Sequence, residues 1–188
     1  AVGTTKDDVL TANFTAGKVG GSTATLAIVT NNTGTTTPVA RANIQVNPQG
    51  SDVFTTVDIT ATGKNNVVLQ ATDATDVNLN TIKVGGTGSL TFAGDAAANV
   101  AFTNITTVDL AANSGGVTLN LSTSTKDIVV TGGSGNDSLT IDLAVNGKMT
   151  LAAGAGNDTV ILGTPTAADL AATDSISGGD GTADVLAL

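Results

Sequence analysis

The 188-residue chain has no cysteine, histidine, tryptophan or tyrosine, and all sixteen of its acidic residues are aspartate; glutamate is missing. Each absence removes a class of chemistry. Without cysteine there is no disulfide framework and no thiolate-ligated metal. Without histidine or cysteine, neither a Ser–His nor a Cys–His nucleophile can be assembled, and no serine stands in a recognisable nucleophile context. The four phenylalanines are the only aromatic residues, so neither an aromatic-rich core nor an aromatic sugar-binding platform is expected. Glutamate favours helices and aspartate favours turns, so the acids read as loop residues or calcium ligands rather than helix surface. Seven basic residues leave a formal net charge of −9, with no basic cluster to meet nucleic acid or an anionic membrane. No apolar run approaches a membrane span, so membrane insertion is not expected. The chain opens with neither methionine nor a signal-like segment and is read as a mature chain or an excised fragment.

What the sequence does contain is glycine, threonine and short aliphatic runs. From residue 53 onward, islands such as Val57–Ile59, Val67–Leu69, Val77–Leu79, Leu90–Phe92, Val108–Leu110 and Val117–Leu121 recur about every ten residues, each alternating apolar and polar positions as a strand does. The loops between them form two interleaved sets. One holds Asp52, Asp73 to Asp76, Asp95, Gly115–Gly116, Asp137, Asp158 and Asp180, with neighbours about 21 residues apart. The spacing predicts an all-β fold, a right-handed parallel β-solenoid or β-roll. It has about 21 residues and two strands per coil, with one loop set stacked along each edge. A three-sided coil of about thirty residues is the alternative. Residues 51–188 are assigned to the solenoid. Residues 1–50, with candidate strands at Thr23–Thr30 and Arg41–Val46, are assigned to an irregular β cap, an insertion or the end of a preceding domain. The segment 167–173 is read as a short helical turn. Asp58 and Asp109 are placed on opposite sheets, facing out, and neither outward face is expected to carry a regular row of threonines.

The chemistry concentrates in 132–188. Gly132-Gly133-Ser134-Gly135-Asn136-Asp137-Ser138-Leu139-Thr140 fits the pattern G-G-x-G-x-D-x-U-x at every fixed position. The glycines allow backbone angles that turn carbonyl oxygens inward. Calcium takes six to eight hard oxygen ligands, so loop carbonyls plus an aspartate suit it. The next copy, Ala153 to Ile161, keeps Gly154, Gly156, Asn157, Asp158 and Val160. The third, Gly178 to Leu186, has its carboxylate one place late, leaving Asp180 and Asp184 as alternatives or joint ligands. One loop cannot complete a calcium shell, so Asp137 and Asp158 are expected on one edge of adjacent coils, repelling each other unless a cation lies between them. Asp95, Asp127, Asp7 and Asp8 are weaker candidates; Asp52, Asp73 and Asp76 read as solvated loop residues.

These nonapeptides resemble those of the repeats-in-toxin family, calcium-binding β-rolls exported by Gram-negative bacteria through type I secretion. Phrases such as FTTVDITATG (54–63) and FTNITTVDLAANSGGVTLNLS (102–122) are similar to surface-layer (S-layer) proteins of that class. The resemblance implies calcium ions as cofactors. It implies metal binding by Asp137 and Asp158, with Gly133, Gly135, Gly154 and Gly156 shaping the loops; Asn136, Asn157, Gly179, Asp180 and Asp184 complete the candidate metal set. It further implies a secreted, non-enzymatic structural module on the bacterial cell surface, with copies of itself as lattice partners and cell-surface polysaccharide contacted through parts outside this sequence. The alternative it leaves open is a calcium-binding roll within a secreted adhesin or secreted enzyme.

Overall fold

A computed structural model describes residues 8–13, 24–32, 42–47, 53–73, 77–98, 100–142, 147–163 and 170–188. The strands are β1 (Asp8–Asn13), β2 (Ala24–Asn32), β3 (Ala42–Asn47), β4 (Phe54–Ala71), β5 (Val77–Gly86), β6 (Ser89–Gly94) and β7 (Thr107–Asp109). They continue with β8 (Val117–Asn120), β9 (Ile128–Thr131), β10 (Ser138–Ile141), β11 (Met149–Ala152), β12 (Thr159–Leu162), β13 (Ser175–Ser177) and β14 (Val185–Ala187). Every ladder between them is parallel. The order β13-β11-β9-β7-β5-β4-β6-β8-β10-β12-β14 separates odd from even strands after β4. That is the pattern of a chain winding alternately through two sheets, a parallel β-solenoid of about five turns. β4 belongs to both sheets. Its Phe54–Gly63 half pairs with β2 and β5, and the half from Lys64 pairs with β3 and β6. β2 and β3 thus extend the two sheets in parallel, and β1 adds outside β3.

Strands of three or four residues survive because each contributes one or two aliphatic side chains to columns running along the solenoid. In the even-numbered sheet Phe92, Leu119, Leu139 and Val160 stand in register, and all are buried. In the odd-numbered sheet Val57, Ile82, Val108, Val130 and Leu151 do the same. No coil could bury its apolar face alone; its neighbours cover it.

The period of about 21 residues holds from β7 to β12, where Leu119 pairs with Leu139, Ser138 with Thr159, Ile128 with Met149 and Thr107 with Val129, and lengthens on either side. Asp137 and Asp158 meet across 21 residues, Asp158 and Asp184 across 26, and Asn113 and Gly88 across 25. A solenoid tolerates this because surplus residues leave through the loops without disturbing strand register. The outward layout also differs from expectation. Asp58 and Asp109 lie on the same sheet, in one column with Lys83 between them. The neighbouring column reads Thr25, Thr56, Thr81, Thr107, Val129, Thr150, Ser175, a nearly regular hydroxyl row. The slip has a physical cause. Val77–Leu79 and Ile82–Val84 form one strand, and Val100 and Phe102 are buried without being in a strand. Counting islands alternately therefore loses the sheet assignment. Of the expected helical turn at 167–173, residues 167–169 lie outside the described residues, and 170–173 form a bend and a turn rather than a helix. The one helical element described, a 3-10 turn at Ala96–Ala98, is capped by Asp95, whose Oδ1 accepts Ala97 and Ala98 N–H at 3.0 and 3.3 Å.

Candidate metal centre

The corners that carry the chain from the odd to the even sheet, residues 110–116, 132–137, 153–158 and 178–184, stack directly on one another. Backbone bonds run up the stack: Ser134 N–H to Asn113 O (2.9 Å), Ala155 N–H to Gly133 O (2.9 Å) and Asp180 N–H to Gly154 O (2.7 Å). Glycine is what permits this close approach. Gly154 and Gly156 have φ of 104° and 113°. A Cβ on Gly154 would overlap the Gly133 carbonyl, and one on Gly156 would sit 2.7 Å from the Gly135 carbonyl oxygen and 3.0 Å from Asn136 Oδ1. The corner is therefore lined by oxygen atoms with no side chain between them.

Two side-chain ladders run through it in opposite directions. In the first, each aspartate reaches back one coil. Asp184 Oδ1 accepts Asp158 N–H (3.0 Å), Asp158 Oδ1 accepts Asp137 N–H (2.8 Å), and Asp137 Oδ1 accepts Val117 N–H (2.8 Å) while its Oδ2 accepts Gly133 N–H (3.1 Å). In the second, each asparagine reaches forward: Asn136 Oδ1 accepts Asn157 N–H (2.8 Å), and Asn157 Oδ1 accepts Thr182 and Ala183 N–H (3.1 and 3.2 Å). Asp137 and Asp158 thus lie on one edge in adjacent coils, as their spacing predicts, and the carboxylates cap backbone donors.

The electrostatics differ rung by rung. Asp137 and Asp158 are both 2% exposed. Burial pushes the Asp137 carboxyl above its ordinary value of 3.8, opposed by the Gly133 and Val117 N–H bonds and reinforced by the charge of Asp158. Burial also raises Asp158, opposed by the Asp137 N–H and reinforced by Asp184. Both oxygens of Asp137 are bonded, but Asp158 Oδ2 is buried without a partner. A buried carboxylate oxygen lacking any donor is costly, and a cation relieves it.

Among the described residues no three carboxylates converge as a metal-holding group. Backbone oxygens would have to complete any shell. Toward calcium, Asp158 Oδ2 would supply a bare hard oxygen and Asp137 and Asp184 neighbouring charge, while corner carbonyls such as those of Gly133, Gly135, Gly154 and Gly156 would have to supply the remainder, those of Gly133 and Gly154 already accepting Ala155 and Asp180 N–H. Asp184 takes the place in the third corner that Asp137 and Asp158 take above it. Asp180 is exposed, and its backbone bridges to Ala155 and Gly156. Gly179 supplies the positive φ of 90° that turns that corner. The weaker candidates have other partners: Asp95 caps its helical turn and accepts from Gln70 Nε2 (2.9 Å), and Asp127 Oδ1 accepts Lys148 N–H (2.9 Å). The side chains of Asp7, Asp8, Asp52 and Asp76 lie outside the description.

Sequence reasoning missed two residues. Asn113 closes the 110–116 corner, its Oδ1 accepting Gly115 and Gly116 N–H (3.0 and 2.9 Å) and its Nδ2 donating to Gly88 O (3.0 Å). The signal was present, since an asparagine ahead of Ser-Gly-Gly is a turn former. Asp174, on the opposite edge, accepts Met149 N–H from the preceding coil (2.8 Å), and no local motif announces it. Comparisons with protein-family models, with characterised proteins and with solved structures give no match.

Proposed function

We propose that the chain is a calcium-stabilised structural module of a bacterial surface-layer lattice protein, of the repeats-in-toxin type, working outside the cell and partnered by copies of itself. The observation that carries the calcium part is the bare, buried Oδ2 of Asp158 in a corner where glycines let the carbonyls of adjacent coils approach closely. Calcium when bound supplies positive charge where two buried carboxyls are held above their ordinary range. The chain's own residues do the rest: the glycines admit the oxygens, and the two ladders hold successive corners in register. Because the pocket exists only when coils stack, binding and folding are one equilibrium, which suits a protein kept unfolded where calcium is scarce and folded after export. The lattice part is supported by the acidic, turn-rich composition and the sequence phrases at 54–63 and 102–122. No catalytic role is proposed.

The test is Asp158→Asn. The amide oxygen still accepts the Asp137 N–H, and the buried charge is gone. In chelator the variant is expected to unfold at the same or higher urea concentration than the parent. In millimolar calcium the parent gains stability and the variant gains little. Calorimetric titration with calcium should show heat for the parent only. A parent whose urea midpoint ignores calcium defeats the metal reading. Addition of calcium to the purified chain, followed by electron microscopy, tests the lattice part: ordered sheets support it, and dispersed monomers favour the adhesin or secreted-enzyme alternative.

A further inference from the structure

The stacked corners do not share one closing chemistry, and the change falls at a definite place. In the 62–66 turn Asn65 Nδ2 donates to Thr62 O (3.0 Å) and Ser89 O (3.3 Å). In the 110–116 corner Asn113 is 1% exposed; it accepts two backbone N–H groups and donates to Gly88 O. Both side chains are neutral amides whose NH2 group supplies positive character to a carbonyl of the adjacent coil, Ser89 O for Asn65 and Gly88 O for Asn113, the service a cation would perform. From 132 onward carboxylates enter the corners, Asp137, then Asp158, then Asp184, while the amides beside the first two, Asn136 and Asn157, accept backbone N–H groups of the following coil through Oδ1. A carboxylate has no donor, so nothing on these side chains answers the carbonyls. The mismatch grows along the axis: Asn113 is neutral and bonded at both ends, Asp137 is charged with both oxygens bonded, and Asp158 is charged with one oxygen bare.

We propose that Asn113 marks the boundary of metal dependence: the coils before it are closed by amides and stand without an ion, while the coils from residue 132 onward are closed by carboxylates and fold fully only with calcium. This rests on the calcium reading above and adds where along the chain the ion acts. Each coil touches only its neighbours, so one part of a solenoid can loosen while the rest persists. The chain then carries a calcium-independent template, built on β4, β5 and β6, onto which the last three corners close when the ion arrives.

Amide hydrogen exchange of the full 188-residue chain, read by mass spectrometry in calcium and in chelator, tests this. Chelation is expected to speed exchange at least about tenfold in β10, β12 and β14 and in corners 132–137 and 153–158, and to change β5 and β6 by less than about twofold; β8, whose Val117 N–H is held by Asp137 and which pairs with β10, is the transition between them. Even acceleration along the whole chain overturns the boundary and leaves the calcium reading standing; no acceleration anywhere overturns both. Asn113→Asp supplies the second measurement. It keeps the acceptor and removes the donor to Gly88 O, so calcium dependence should spread to 86–121. A variant whose β6 stays indifferent to calcium removes Asn113 as the reason for the boundary.

Discussion

Gly154 and Gly85 show how differently one residue type serves this chain. Gly154 has φ of 104°, and a Cβ there would overlap the Gly133 carbonyl. The nearest atom to a Cβ on Gly85 would be Ala112 Cβ at 3.4 Å, an ordinary contact. Gly154→Ala is therefore expected to cost roughly 1–3 kcal/mol, because it strains the backbone and forces two coils apart. Gly85→Ala should stay within about 0.5 kcal/mol of the parent or gain slightly through a less flexible unfolded chain. Urea denaturation of both variants checks the pair, and equal losses would mean that corner geometry is not what the glycines provide. The same resolution separates aspartate from asparagine. Asp137 and Asn136 are adjacent in sequence, yet the first caps the coil before it and the second the coil after it, so the Asn-Asp pair ties three coils together.

At the scale of the strand, the unit of stability is the column. Leu139 is fully buried between Leu119 and Val160. Leu186 continues that column beside Val160 but is 52% exposed, with no strand beyond it among the described residues. Leu139→Ala should cost about 2–5 kcal/mol, and Leu186→Ala well under that, since much of its surface is already in water. Equal urea midpoints for the two variants would deny the columns their role. Column membership also explains what the sequence made legible. The island alternation at Val117–Leu121 and Ser138–Ile141 reports a buried face, and the glycine-aspartate copies report a corner repeat; both are local signals and both describe real features of the fold. Which sheet an island joins is not local. It depends on how the chain spends residues between islands, and β4 running through its corner without a break or β5 absorbing two islands leaves no mark in periodicity. Hence alternation alone puts Asp58 and Asp109 on opposite sheets, where the register puts them on one. Asn113 was legible as a turn former, but its bond to Gly88, 25 residues away, could be known only once the register was known.

For the whole molecule, the buried carboxyls tie stability to pH and calcium together. Asp137 and Asp158 both sit above 3.8 in the folded chain. A raised folded-state value means that the native state binds protons more tightly than the unfolded state. With the ion removed, their contribution to stability is then fully present below about 3.8 and is lost as pH rises through the folded values. The net charge of −9 acts in the same direction, because its self-repulsion fades as carboxylates protonate. In chelator the melting temperature should therefore rise as pH falls from about 7 toward about 4, the reverse of the usual acid denaturation of paired carboxylates. Calcium favours the ionised form and competes with those protons, so the gap between melting temperatures with and without calcium should be widest near neutral pH and close on acidification. Asp158→Asn removes one of the two titrating groups and should flatten the chelator curve while leaving the Asp137 contribution. Melting curves across that range, with and without calcium, decide it. A chain that melts earlier in mild acid without calcium would show that these two carboxyls are held in the native state by their backbone donors more strongly than burial opposes them, and the need for a cation at the corner would vanish with that result.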